Sequence, residues 1–268
     1  MQHPVARYAV LALGAFLCIA AVVPVPAFLM SARGVAGPAA TDAAHPVQAA
    51  VAMAAAAAVC TAIACAVGRA INAAVGLFAL GCGMAALAGR TGTIVDAGFD
   101  GDALLPIAVE TIAWGAVVLG MSMAVFRASG PLLDLPARRP GGPFLAEVFN
   151  ADAARGIVAA GVAVAVAWVA LRTDMKGQAI GVAAAGSAIG AIVARRVQGP
   201  TQPILLVAMP VLGFGLAQLA TALLSAGPLD RAIAQQALPG WSRAMPLDVV
   251  AGALIGVPVG LGWSKPGE

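Results

Sequence analysis

Glu110 is the residue of this sequence with the clearest chemical potential, because its carboxylate lies within an apolar run that extends from Ala103 to Phe126. A charged group inside a membrane is costly, and such groups usually face a watery cavity or the bundle interior and mark a pathway. Trp114 follows one helical turn later on the same face. The spacing favours a Glu110–Trp114 pair that lines an outward-facing vestibule. A Glu110 that is protonated by burial, or paired with a loop cation such as Arg90, is the alternative.

Three further polar groups interrupt the apolar runs. Gln218 lies deep in one run and needs hydrogen-bond partners, which favours the bundle interior. Asp248 and Asn72 each lie near the end of a run, where capping of a helix is the ordinary role of such residues.

Residue sets for catalysis are missing from the apolar runs. The two histidines, His3 and His45, fall in the N-terminal tail and in a loop, so they cannot serve a buried nucleophile or metal. Gly186-Ser187-Ala188 has the form of an intramembrane serine site, but no histidine follows it. The sequence therefore predicts no enzyme, no catalytic residue, no metal and no cofactor.

The composition indicates that the solvent of this chain is lipid. Of its 268 residues 61% are hydrophobic and 10% are charged, against roughly 25% charged in soluble domains. The apolar blocks have the length of about 20 residues that a membrane-crossing helix needs. We predict an all-α polytopic membrane bundle with about eight transmembrane helices: Ala6–Met30, Val47–Val67, Ala70–Ala88, Ala103–Phe126, Gly156–Leu171, Gly177–Ala194, Pro203–Ala226 and Met245–Trp263.

The distribution of Lys and Arg predicts the orientation, since short cytoplasmic loops retain positive charge. With the N-terminus inside, nine of the 15 basic residues fall on the cytoplasmic side: Arg7, Arg69, Arg127, Arg138, Arg139, Arg155, Arg195, Arg196 and Lys265. We expect a multi-pass protein of the plasma (inner) membrane with both termini in the cytoplasm. These basic inner loops also explain the net charge of +3, and no nucleic-acid partner is expected.

The predicted organisation is two halves of four helices, residues 1–130 and 154–268, joined by a cytoplasmic Pro/Gly-rich linker at 131–153. The segment Leu80-Gly81-Cys82-Gly83 parallels Leu212-Gly213-Phe214-Gly215, which favours an internal duplication. Because four spans is an even number, such halves would form a parallel 4+4 repeat, an arrangement that transporters use. Chance matches among abundant Ala, Gly and Leu are the alternative.

Glycines at four-residue spacing predict seams where helix backbones approach closely, because residues i and i+4 share a helix face. Packing within the bundle and contact between copies in a homo-oligomer are both compatible with this pattern. The glycines concerned are Gly252, Gly256, Gly260, Gly186 and Gly190.

One segment resembles a known family. From Gly76 to Gly101 a Gly-Met…Leu-Ala-Gly helix end leads into Gly92-Thr93-Ile94…Gly, and this resembles the repeat motif of the YeeE/YedE-type sulfur-compound transporters. The resemblance implies a transporter with a re-entrant or broken-helix turn. That family places a cysteine just after Leu-Ala-Gly, where this chain has Arg90-Thr91, so cysteine-dependent handling of thiosulfate is not carried over.

The leading functional hypothesis is a small-solute transporter or channel in the lipid bilayer. Its pathway is predicted to pass near Glu110, Trp114, Gln218 and the segment that carries Gly81, Gly83 and Gly92. The rival hypothesis is a non-catalytic scaffold or assembly subunit that packs against partner membrane proteins or against a second copy.

Overall fold

The structure is a computed structural model, and it describes residues 4–100, 104–132, 134–135, 143–198, 201–224 and 228–264. The architecture is all-α, as predicted, and over the described residues it consists of eight main helices joined by loops and short helices. In chain order α1 to α8 are Pro4–Val22, Pro46–Ala70, Ala73–Ala88, Leu104–Ser129, Ile157–Ala170, Lys176–Val197, Met209–Leu224 and Pro246–Trp263.

Seven helical segments of the described chain are long and apolar enough to cross a membrane. Two of them reach this length with the short helix that precedes them, Ala151–Ala154 before α5 and Leu205–Val207 before α7. The remaining helix, α3, is a shorter apolar helix of 16 residues. At 1.5 Å per residue, α3 covers about 24 Å, less than a hydrocarbon core of about 30 Å. Its first turn is capped by Asn72, whose side-chain oxygen accepts the backbone N–H of Val75 at 2.9 Å. The predicted third span, Ala70–Ala88, therefore begins only after this cap, because Ala70 still belongs to α2.

Helices within the first half are tied together at both ends. The backbone N–H of Ala40, just before α2, donates to Glu110 near the start of α4. At the other end of the same pair, Arg69 of α2 donates to the carbonyl of Ala128 on α4. Helices α2 and α4 are therefore parallel. We call the two ends of the bundle the Glu110 end and the Arg69 end.

The halves meet through two antiparallel helix pairs, α3 with α8 and α4 with α7, and α4 also contacts α8. Gly81 on α3 lies against Ile255 on α8. Gly215 on α7 lies against Ile112 on α4. The third and fourth helices of each half thus form the interface between the halves.

Helix α8 lies at the centre of the bundle, where it packs against α3, α4, α6 and α7. Of its residues 78% are buried, against 22% for the span that contains α1. Gly252, Gly256 and Gly260 form the face that α8 presents to α6. A Cβ at Gly256 would overlap the carbonyl oxygen of Ala184, so the two backbones are in direct contact.

The glycines on α6 face a different neighbour. Gly186 lies against Ala163 and Gly190 lies against Ala159, and both of these alanines belong to α5. The structure therefore places all five predicted packing glycines in contacts between helices of this chain.

The segment between the halves packs onto the second half in its described part. It contains two short helices, Phe144–Val148 and Ala151–Ala154. Val148 is fully buried, and the side-chain amide of Gln198 donates to the carbonyl of Ala153 at 3.1 Å. The predicted linker residues 133 and 136–142, which include Arg138 and Arg139, lie outside the described residues.

Two ion pairs hold the N-terminal ends of α6 and α8 together. The Lys176 ammonium lies 3.0 Å from a carboxylate oxygen of Asp248, whose side chain is 1% exposed. Asp248 also accepts the backbone N–H of Met245 at 2.9 Å, which confirms its capping role. Arg243 pairs with Asp174 at 3.1 Å on the loops that lead into these helices.

The glycine contact between α8 and α6 predicts opposite effects for two alanine substitutions on one helix. Gly256→Ala places a methyl group against Ala184, and we expect a loss of about 1–3 kcal/mol of stability from overpacking. Gly262→Ala enters open space and should be neutral or stabilising by up to about 1 kcal/mol through helix propensity. Size-exclusion chromatography of heated detergent samples measures both midpoints. Equal midpoints for the two variants would contradict the backbone contact.

Candidate functional site

A groove of about 1180 Å³ lies between α2 and α4. One wall is the alanine stripe of α2, which consists of Ala50, Ala54, Ala58 and Ala62 at four-residue spacing. From Pro46 to Cys65 the lining covers 20 residues of α2, a rise of about 28 Å at 1.5 Å per residue. The groove therefore runs along most of a hydrocarbon core of about 30 Å.

The opposite wall is formed by larger side chains of α4. Leu105, Val109 and Val117 line the groove, yet 44%, 55% and 42% of their surface is exposed. Side chains that line a groove and are also exposed show that the groove opens to the surroundings of the bundle rather than into a closed core.

Polar side chains among the lining residues are concentrated at the Glu110 end, where Glu110 and Thr41 line the groove. The Glu110 carboxylate accepts the backbone N–H of Ala40 at 3.0 Å and that of Thr41 at 3.1 Å. The Thr41 hydroxyl is a third donor, at 3.3 Å. Hydrogen bonds to an anionic acceptor are stronger than neutral ones, so Glu110 anchors the loop before α2 to α4.

Arg90, the loop cation considered as a partner for Glu110, has a different acceptor. Its guanidinium donates to the carbonyl oxygen of Val23 at 3.2 Å. Thr61, farther along the groove, donates its hydroxyl to the carbonyl of Ala57 within α2. The walls between the two ends of the groove are consequently apolar in character.

Trp114 is buried and lines the same groove as Glu110. Both residues lie on one face of α4, in agreement with their spacing of one turn. Ala54 lies at the same depth on the facing wall. The hydrogen bond between Arg69 and Ala128 marks one common level on the two helices. Ala54 is 15 residues from Arg69 and Trp114 is 14 residues from Ala128, so both lie about equally far from that level. Glu110 and Trp114 are the two predicted pathway residues that the structure brings together.

Gln218 lies outside this groove and links three parts of the bundle. The Thr111 hydroxyl donates to its side-chain oxygen at 2.7 Å. Its amide nitrogen donates to the carbonyl of Ala244 at 2.7 Å. The side chain is fully buried, and its polar atoms are used to join α4, α7 and the segment before α8.

The glycines predicted near the pathway lie in backbone contacts. Gly81 lies against α8, and Gly83 lies against Cys18 of α1. Gly92 belongs to a loop, where its N–H donates to the carbonyl of Gly37 at 3.0 Å. None of these three glycines is among the residues that line the groove.

All four cysteines lie on the first three helices, with Cys65 on α2 lining the groove. Cys18 and Cys60 are buried, and each thiol donates to the other residue's backbone carbonyl, at 3.8 and 3.5 Å. Cys82 lies on α3 beside Gly83. Within the described residues no group of three or more His, Cys, Asp or Glu side chains lies close enough together to hold a metal ion.

Several residues of the groove had no counterpart in the sequence analysis. Thr41 belongs to a loop 69 residues before Glu110, and nothing in its local sequence indicates this contact. The alanine stripe was detectable, since Ala50, Ala54, Ala58 and Ala62 have the same spacing as the glycine seams. It was obscured because alanine is frequent throughout α2.

The helical architecture and the length of the apolar helices define this chain as a multi-pass α-helical membrane protein. In comparisons with known proteins, no protein-family model, no curated protein and no solved structure matches it. The resemblance of Gly76–Gly101 to the YeeE/YedE-type transporters therefore stays a prediction.

The Glu110 anchor predicts local rather than global effects of mutation. Glu110→Gln removes one acceptor oxygen and the negative charge. The backbone amides of Ala40 and Thr41 should then exchange with deuterium about fivefold faster. This factor is the equivalent of roughly 1 kcal/mol, the contribution of a hydrogen bond to a charged group that is partly exposed. Hydrogen–deuterium exchange with mass spectrometry measures this rate in peptides that cover residues 36–45. Thr41→Val removes only the hydroxyl contact and is the matched control, for which a smaller change is expected. Unchanged exchange in Glu110→Gln would show that Glu110 does not hold the loop.

Proposed function

We propose that this chain is a transport protein for a membrane-dissolved amphipathic solute, and that the α2–α4 groove is its binding site. The observation that carries the proposal is the groove itself, which is open sideways, apolar along its walls and about as long as the bilayer core is thick. Glu110 and Thr41 supply a polar end. Such a site suits a molecule that enters from the lipid with its apolar part first.

A water-filled channel is less well supported by the same residues. A hydrated pathway needs polar groups that line it, and Gln218 is buried with its polar atoms bonded to other parts of the bundle. The glycines Gly81 and Gly83 are in van der Waals contact with neighbouring helices. An apolar or amphipathic solute does not require the missing polar lining.

We further infer that the two halves are a parallel repeat, and the helix contacts support this proposal. If the halves are repeats, α3 corresponds to α7 and α8 corresponds to α4, so the contact of α3 with α8 corresponds to the contact of α7 with α4. In both contacts a glycine faces an isoleucine: Gly81 with Ile255, and Gly215 with Ile112. By these contacts Gly81 is equivalent to Gly215, whereas the sequence match made it equivalent to Gly213, two residues earlier. Parallel repeats of this kind occur in transporters.

The proposed repeat allows the groove to be compared with the equivalent space in the second half. In the second half, α6 and α8 correspond to α2 and α4, and Gly252, Gly256 and Gly260 close the space between them. In the first half the equivalent space is the groove. A site that is open in one half and closed by glycines in the other indicates a specialised use of the first half.

Occupation of the groove can be tested with Trp114 as the reporter. The protein is placed in vesicles of phosphatidylcholine whose acyl chains carry bromine near their ends, and the bromine quenches the fluorescence of a tryptophan in contact with it. The emission of Trp114 alone is obtained as the difference between the parent and Trp114→Phe. Ala54→Phe should remove most of the quenching of Trp114, because its ring fills the groove at the depth of Trp114. Ala55→Phe changes the neighbouring exposed alanine, which does not line the groove, and should leave the quenching unchanged. Equal quenching in both variants would sink the proposal.

The scaffold hypothesis is favoured by one observation, the alanine stripe of α2, because small residues at four-residue spacing also accept a partner helix. A photo-crosslinking residue at position 54 in native membranes separates the two functions. A small adduct of defined mass supports solute binding, whereas a crosslink to another polypeptide supports the scaffold. The same residue at position 55 reports non-specific contact with lipid.

A further inference from the structure

The groove ends in a basic site at its Arg69 end. Cys65 is the last residue of α2 that lines the groove, and Arg69 lies one turn beyond it on the same face. The Nε of Arg69 donates to the carbonyl of Ala128 at 3.2 Å, so the guanidinium reaches from α2 to α4. Hydrogen bonding through Nε leaves the terminal NH₂ groups of Arg69 able to donate elsewhere.

A second arginine lies beside this link. Arg127 precedes Ala128 on α4, is exposed, and has its guanidinium 6.0 Å from the centre of the Phe144 ring. Guanidinium groups bind phosphate oxygens through paired N–H donors. Arg69 and Arg127 lie in the last turns of the two helices that line the apolar groove, and two guanidinium groups there have the chemistry that a phosphate headgroup with attached acyl chains requires.

The whole Arg69 end carries positive charge. Within the described residues, the directions of the helices place six arginines at this end: Arg7, Arg69, Arg127, Arg155, Arg195 and Arg196. Three acidic residues, Asp134, Glu147 and Asp152, lie there as well. An excess of cations attracts anionic lipids of the adjacent leaflet.

The length of the groove agrees with one lipid of that leaflet. Ala128 and Trp114 are 14 positions apart on α4, about 21 Å at 1.5 Å per residue. Half of a bilayer that is 40–45 Å thick with its headgroups is also about 21 Å. A headgroup at Arg69 would therefore place the ends of its acyl chains beside Trp114.

We infer that the α2–α4 groove binds an anionic phospholipid, with the headgroup phosphate on Arg69 and Arg127 and the acyl chains along the alanine stripe toward Trp114. The inference rests on the proposed use of the groove as a site for an amphipathic solute. It names the chemical class of that solute and places the solute's polar group at the Arg69 end rather than at the Glu110 end. Basic pockets between transmembrane helices bind anionic headgroups in this way.

The test compares two brominated lipids of identical chains, phosphatidylglycerol and phosphatidylcholine, at equal mole fraction in non-brominated phosphatidylcholine vesicles. The emission of Trp114 is the difference in fluorescence between the parent and Trp114→Phe. Its quenching should show that the groove binds the anionic lipid about tenfold more strongly than phosphatidylcholine, since each basic residue near the headgroup adds attraction. The double variant Arg69→Gln with Arg127→Gln should lower this preference to near one. The double variant Arg7→Gln with Arg196→Gln is the control. It removes the same number of charges from exposed positions outside the groove, and the preference for the anionic lipid should be retained.

Each contrary outcome has a distinct meaning. Quenching of Trp114 by both lipids alike, with Ala54→Phe still protective, would overturn the phosphate site and leave the groove as a binding site. A preference that both double variants lose equally would reduce the effect to surface charge and would also overturn the inference. Absence of quenching by either lipid would overturn the inference together with the proposed function.

Discussion

Direct contact between the backbones of α8 and α6 is the interaction on which the rest of the bundle depends. Apolar side chains gain little by leaving lipid, so helices in a membrane associate through close packing. Gly252, Gly256 and Gly260 allow that packing because they carry no side chain on the shared face. With α6 fixed, the other faces of α8 are available to α3, α4 and α7. The second half thereby supports α3 and α4 of the first half through α8.

The first half is held together by a different kind of interaction. Helices α2 and α4 are joined by hydrogen bonds at their two ends, from Ala40 and Thr41 to Glu110 and from Arg69 to Ala128. Between these ends the walls are apolar and partly exposed. Polar ties at the ends keep the helices in register while they leave the space between them open.

The helical architecture could be predicted from the sequence because its signals are local. Apolar blocks predicted the seven helical segments of span length and, as an eighth block, the shorter α3. The polar residues Asn72 and Asp248 indicated two helix starts that the structure confirms. The position of Glu110 and Trp114 on one face followed from the period of the α-helix. These inferences need no knowledge of which helices are neighbours.

The partners of the polar residues could not be predicted in the same way. Glu110 bonds to a loop about 70 residues earlier, and Gln218 bonds to Thr111, 107 residues away. Such contacts depend on the three-dimensional arrangement of the helices, which similar runs of Ala, Gly and Leu do not specify. For the same reason Gly81 and Gly83 were compatible with a pathway, although their contacts are with α8 and α1.

The meeting point of Gly68 and Ser129 has a mechanical consequence. A Cβ at Gly68 would overlap the Ser129 hydroxyl, so α2 and α4 are in contact there. From this contact to Pro46, at the other end of α2, is a distance of 22 residues, about 33 Å. A tilt of about 5° at this contact displaces the far end by roughly 3 Å, about a third of the 8–10 Å that separates packed helix axes. A small change in the angle between α2 and α4 at Gly68 would therefore change the width of the groove toward its Glu110 end.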